Sequence, residues 1–307
     1  MEKLIRWQEK KRKKLYKLLG ELPPRDYPVK VIKKIEEERE KYIIEKLVLD
    51  LNGYEEVPAY FVKPKNLKGK VPCAIFNHSH GGKHYLGKDE FIEGNTYMAQ
   101  PPYAEVITSL NFCGICIDHL NFGERSGRDE LTLFKELIWQ GKVLWGLMVF
   151  DSLKVIDYVL TREEVDEKRI FTIGMSMGST MAWWMAALDE RIKVCIDICC
   201  LTDFETLIKE RGLPGHGIYY FVPSLLKHFS TSDINSLIAP RPHLSVAGAF
   251  DSLTPLEGLE KINRRLKKIY KNFGKEENWQ LKIYNVGHRE TFQMRSDIIE
   301  FLLKHIK

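Results

Sequence analysis

The stretch Arg169-Ile170-Phe171-Thr172-Ile173-Gly174-Met175-Ser176-Met177-Gly178 carries the strongest architectural signal in this chain. A short apolar run that reads as a strand ends in a G-x-S-x-G pentapeptide, and Ser179 to Leu188 continues as a helix-compatible run. A serine hydroxyl is a poor nucleophile. Chemistry at Ser176 therefore requires a sharp turn that presents it to a base on one side and to oxyanion donors on the other. Gly174 and Gly178 permit that turn, because a side chain two positions before or after Ser176 would crowd the adjoining strand or helix. The pentapeptide alone occurs by chance in many chains. The strand before it and the helix after it supply the context that the chemistry needs.

Working outward, Val71 to Asn77, Cys113 to Asp118, Val194 to Cys199, Leu244 to Gly248 and Leu281 to Val286 are further short, nearly continuous apolar runs, as expected of strands buried on both faces. Helical segments near 131–160, 179–188, 255–272 and 291–306 alternate with them, and Gly141 marks a bend or break in the longest. Lys46 to Leu51 and Val57 to Val62, separated by Asn52-Gly53, predict an antiparallel hairpin ahead of the parallel strands. Residues 1–44 read as a helical extension in two pieces, broken by the prolines between Leu22 and Pro28. Residues 45–307 then form one α/β domain. Within it, the Gly-, Pro- and Tyr-rich segment 201–240 reads as a cap-like insertion over the carboxyl edge of the sheet, where a substrate pocket belongs.

A nucleophilic serine needs a histidine base, and the histidine needs an acid to hold its tautomer. Asp251, in the loop after Leu244 to Gly248, and His288, after the last apolar run, supply these in the order Ser, Asp, His, each at the carboxyl end of a strand. Asp251 also reads as a turn or helix-capping residue, and His288 as a surface loop residue. For the oxyanion, the expected donors are the N–H of Met177 and an N–H of the loop His78-Ser79-His80-Gly81-Gly82, with His80 first and Gly81 second. Gly81, His216, Tyr219 and Tyr220 are candidate pocket residues. Asp118 ends another strand, but its place before the nucleophile breaks the order, so it reads as tying its own loop together with Arg125. His78 and His80 lack a carboxylate or cysteine partner at ligand spacing, and no metal is expected.

The composition of the 307 residues is globular, with 44% hydrophobic and 29% charged residues and no apolar stretch of membrane-spanning length. The net charge of +5 is dispersed, and its densest run, Lys10 to Lys14, lies on an amphipathic helical pattern rather than in a nucleic-acid-binding motif. The start lacks the pattern of a secretory signal, and the six cysteines mostly sit in apolar runs as buried thiols. Both point to the cytoplasm.

These residues resemble the α/β-hydrolase superfamily from about residue 45 onward, and within it the dienelactone-hydrolase-like and acetyl-xylan-esterase-like branch. The likeness rests on His78-Ser79-His80-Gly81-Gly82 in place of H-G-H-G-G, the loop from Asp118 to Gly127, and Ile238-Ala239-Pro240-Arg241-Pro242. It implies an α/β-hydrolase fold with a mostly parallel central sheet and helices on both faces. It also implies hydrolysis of a small-molecule ester, most plausibly short-acyl or acetyl, through an acyl-enzyme on Ser176 with no metal or organic cofactor. Two departures stand out. Ser79 replaces the usual glycine, and a serine stands where dienelactone hydrolases proper use cysteine. A serine peptidase or amidase of the same fold is the alternative, weakened because no N-terminal propeller precedes the domain, and a non-catalytic binding protein is a third reading. Neither nucleic acid nor membrane is expected as a partner, and a homo-oligomer stays open.

Overall fold

Alternation of apolar strands with amphipathic helices produces a nine-stranded mixed sheet in the order β1-β2-β3-β5-β4-β6-β7-β8-β9. The computed structural model describes residues 2–306. Along the chain run α1 (Glu2–Lys17), β1 (Lys30–Glu38), β2 (Tyr42–Asp50), β3 (Glu56–Pro64), β4 (Val71–Asn77), α2 (Glu90–Glu93), α3 (Tyr103–Ser109) and β5 (Cys113–Ile117). There follow α4 (Glu130–Trp139), α5 (Leu144–Val159), β6 (Val165–Met175), α6 (Met177–Leu188) and β7 (Val194–Ile198). The chain ends with α7 (Phe204–Lys209), α8 (Thr231–Asn235), β8 (His243–Gly248), α9 (Leu256–Asn272), β9 (Trp279–Tyr284) and α10 (Phe292–His305).

The first three strands and the β3–β5 pair are antiparallel, and β5-β4-β6-β7-β8-β9 are parallel throughout. Strands β4, β5, β7 and β8 are buried along their whole length because helices cover both faces. Residues from α5, α6 and α9 form one apolar layer, and residues from α3 and α10 form the other. The predicted hairpin is β2–β3. Its turn is fixed by Asn52, whose Oδ1 accepts from Tyr54 N at 2.8 Å and Glu55 N at 3.1 Å, and by Gly53 at φ +74°. Gly141, at φ +74°, separates α4 from α5, so the long helical stretch is broken rather than bent.

The N-terminal 44 residues are not a purely helical extension. Only the first piece is a helix, while Lys30–Glu38 is an edge strand, and the 44/45 boundary falls inside β2. Strand β1 is almost entirely exposed and rich in Lys and Glu, which pair with strands β2 and β3 through Lys46–Glu37 and Lys63–Glu36. Charged side chains on an edge strand discourage pairing with another chain, and the same charges hide the strand from a reading based on apolar alternation. Helix α1 docks into the main core through Leu15, and Leu19 just beyond it is also fully buried.

The segment 201–240 is largely irregular, holding the short α7 and α8 and several single 3-10 turns. All six cysteines are free and buried. Among the described residues, no helix is long and apolar enough to cross a membrane.

Candidate active site

Parallel strands deliver the candidate residues to one edge. Strand β4 pairs directly with β6, with Asn77 opposite Gly174, so the loop after β4 lies against the turn that carries Ser176. Ser176 has φ +56° and ψ −118°, a conformation that L-residues rarely adopt, and sits immediately before α6. The flanking glycines make the turn feasible. A Cβ on Gly174 would meet the Gly178 carbonyl oxygen at 2.3 Å, and one on Gly178 would meet that of Asn77 at 1.9 Å. Met177 begins α6, so its N–H belongs to the first turn, whose donors have no intrahelical acceptor.

The loops after β8 and β9 are joined by backbone bonds from Ala249 N to Tyr284 O (2.7 Å) and Phe250 N to Val286 O (3.0 Å). This brings Asp251 beside His288. Asp251 is buried, with Oδ1 accepting from Leu253 N at 2.9 Å and Oδ2 lying 2.7 Å from His288 Nδ1. The other ring nitrogen, Nε2, lies 2.9 Å from Ser176 Oγ. A carboxylate only accepts, so Nδ1 carries the proton and Nε2 turns its lone pair to the serine hydroxyl. Asp251 does not cap the following helix, because Pro255 holds that position.

Asp118 is elsewhere. Its carboxylate is buried against Lys88, accepting from Nζ at 3.0 Å and from the Lys88 N–H at 2.7 Å, and it also takes the Glu124 N–H at 3.0 Å. Arg125 reaches the Asp118 backbone carbonyl, at 3.0 Å, and not the carboxylate. The expectation of a loop-tying residue therefore holds with Lys88 as the side-chain partner, a lysine that sequence reasoning overlooked.

In the loop after β4, Ser79 N donates to Glu90 Oε1 at 2.7 Å, Gly82 N to His80 Nδ1 at 3.0 Å, and Lys83 N to His80 O at 2.7 Å. The N–H groups of His80 and Gly81 engage no acceptor among the described residues. Glu90 is fully buried and takes up both the backbone and the hydroxyl of Ser79, the latter at 2.5 Å, together with Asn95 Nδ2 at 2.9 Å. Burial raises its carboxyl from the usual range. The departure of Ser79 from glycine was the sequence signal for this anchor, but nothing pointed to Glu90 as its partner. His78 is buried and neutral, its ring pushed down to about 3 by desolvation, with Nδ1 bonded to Ser79 O at 2.8 Å and Nε2 accepting from His119 N at 3.2 Å. Among the described residues, no group of three or more His, Cys, Asp or Glu is arranged to hold a metal ion.

A cavity of about 250 Å³ opens over Ser176, lined by His80, Gly81, Met177, His288 and, from the insertion, His216, Tyr219 and Tyr220. All the residues expected at the pocket line it. Thr180, Cys200 and Leu253 also do so, although no sequence signal marked them.

A strand, a strained serine turn and a helix, with Asp and His in the loops after later parallel strands, define the α/β-hydrolase class. The sequence profile of the acetyl xylan esterase (AXE1) family matches residues 31–233, a range that contains Ser176 and the His78–Gly82 loop. YtaP of Bacillus subtilis (strain 168), a hydrolase by name, is 50% identical over 294 residues, 96% of this chain and 98% of that protein. Among solved structures, an acetyl xylan esterase by name from Bacteroides fragilis aligns with a TM-score of 0.72 at 20% identity, over 93% of this chain and 76% of its own. The glucuronoyl esterase of Solibacter usitatus aligns with a TM-score of 0.71 at 14% identity, over 98% and 93%. The chain belongs to the acetyl xylan esterase family. It is a carboxylic-ester hydrolase built on the α/β-hydrolase fold.

Proposed function

We propose that this enzyme hydrolyses short-acyl esters through an acyl-enzyme on Ser176, with His288 as the proton carrier, Asp251 as its orienting acid, and the N–H groups of Met177 and His80 as the oxyanion donors. The observation that carries the reading is the continuous chain from Asp251 Oδ2 through the His288 ring to Ser176 Oγ, at 2.7 and 2.9 Å. His288 Nε2 takes the serine proton as Oγ attacks the ester carbonyl, and Asp251 offsets the charge on the ring. The carbonyl oxygen, now anionic, is met by donors fixed before reaction at the start of α6 and in the loop after β4. Collapse expels the alcohol, which takes its proton from His288 Nε2. Water, deprotonated by the same nitrogen, then attacks the acyl carbon, the bond to Oγ breaks, Oγ takes the proton back from Nε2, and the acid is released.

The expectation of a short acyl group comes from membership of the acetyl xylan esterase family, and the cavity of about 250 Å³ over Ser176 has room for such a group. A panel of p-nitrophenyl esters from acetate to decanoate, run beside aminoacyl p-nitroanilides, tests this. The expected kcat/KM is highest for two- to four-carbon acyl groups and falls on the order of 100-fold by ten carbons. Faster turnover of the anilides than of any ester would replace the reading with an amidase.

A further inference from the structure

Proton bookkeeping around the cavity assigns a direction to a hydroxyl that the chemistry above does not use. Gly82 N–H is an obligatory donor and its acceptor is His80 Nδ1, at 3.0 Å. Burial pushes the His80 ring down to about 4, so at neutral pH it carries one proton, and that proton must sit on Nε2. Nε2 lies 3.0 Å from Tyr219 Oη and therefore donates to it. The Tyr219 oxygen is thus occupied as an acceptor. Its own proton has no acceptor among the described residues, and burial among aromatic rings raises the phenol's pKa, so the proton stays in place. Tyr219 lines the cavity over Ser176.

Two neighbouring polar side chains do not take over this role. Tyr220 is also on the cavity wall, but its hydroxyl oxygen is buried away from the cavity and pairs with no described residue. His216 Nε2 lies 3.0 Å from the Leu253 carbonyl oxygen, which only accepts, so the proton of that neutral ring is also committed to the protein. Of these three side chains, Tyr219 is the one whose hydroxyl proton is left for a ligand in the cavity. Hydrocarbon in contact with it would leave that proton unpaired.

We propose that Tyr219 Oη is a fixed hydrogen-bond donor to the substrate, selecting esters that carry an ether or hydroxyl oxygen outside the scissile ester group. The proposal rests on Ser176 being the nucleophile, since the relevant cavity is the one above it. The test uses two isosteric pairs that differ by oxygen in place of methylene: p-nitrophenyl methoxyacetate against butanoate, and 2-methoxyethyl acetate against butyl acetate. The readout is the ratio of kcat/KM within each pair, compared between the parent enzyme and Tyr219→Phe, which keeps the ring and removes the hydroxyl. The inductive effect of oxygen cancels in that comparison.

The ratio is expected to fall in Tyr219→Phe by about tenfold for at least one pair, the scale of one neutral hydrogen bond. A fall of fivefold or more in either pair supports the donor. A smaller change in both overturns it, as does an equal loss on all four esters, which would make Tyr219 part of the fold or of the oxyanion site. Because the readout is a ratio, partial unfolding of the variant does not imitate the result. Turnover of these esters that persists in Ser176→Ala would instead sink the acyl-enzyme reading, a distinguishable failure.

Discussion

Asp251 and Asp118 both follow parallel strands and both are buried, yet they face different partners, and the difference is electrostatic. Asp118 has a lysine ammonium and two N–H groups around it and needs no further neutralisation. Asp251 takes one backbone N–H and the His288 ring, so its charge faces that ring, where the proposed mechanism uses it to stabilise an imidazolium. Asp251→Asn is accordingly expected to lower kcat by a factor on the order of 10⁴, by presenting the wrong tautomer of His288 to Ser176. Asp118→Asn is expected to act on thermal stability far more than on kcat. Steady-state kinetics and melting curves on the two variants separate these outcomes, and a larger kcat loss in Asp118→Asn would reverse the assignment. Ser176, Asp251 and His288 could be nominated from the sequence because each carries a local signature: glycines around Ser176, a strand-end loop at Asp251, and a place just after the last apolar run for His288. Glu90 and Lys88 could not, because each is defined by contacts with a loop elsewhere in the sequence, Ser79 for Glu90 and Asp118 for Lys88, and such contacts leave no periodic or spacing signal in the chain.

Among the elements, β4, β6 and α6 meet so closely around Ser176 that only glycine fits two positions to either side of it, which is why the pentapeptide could be read from sequence. Strand β1 shows the opposite case. Its Lys- and Glu-rich exposed face carries no apolar alternation, and its place in the sheet depends on pairing with β2, a contact distant from any local pattern. What binds that flank is a buried carboxylate on β2. Burial alone would raise the Glu45 carboxyl, but Arg162, with bonds of 2.7 and 2.8 Å, Lys63 at 3.0 Å and Lys34 at 3.1 Å outweigh it and hold the group at about 2. A carboxyl whose folded value lies below the unfolded value of about 4.3 contributes stability that is complete above that pH. The contribution is lost as pH falls through the folded value. Glu45→Gln should therefore melt well below the parent at pH 6, and the gap should narrow steadily between about pH 4.5 and pH 2. Differential scanning measurements across that range check it, and a gap that stays constant would mean that Glu45 acts through packing rather than charge.

Over the whole molecule, the alternation of buried strands and amphipathic helices made the parallel sheet and the hairpin legible from residue 45 onward. The N-terminal segment escaped because its role is tertiary. Gln8 on α1 donates to the carbonyl oxygens of Ser236 and Ala239, more than two hundred residues away, and Gly146 on α5 leaves room for the Leu19 carbonyl, which a Cβ would meet at 1.9 Å. Such contacts bind the segment into the fold that aims the strand ends at one cavity. The central claim is that this architecture activates a single serine, and it is tested most directly by the mass of the intact chain after reaction with a small p-nitrophenyl alkylphosphonate. The expected result is one phosphonyl adduct per chain, mapped by peptide sequencing to Ser176, formed in step with loss of esterase activity and absent from Ser176→Ala. An adduct on another residue, or full esterase activity in a chain phosphonylated at Ser176, would contradict it.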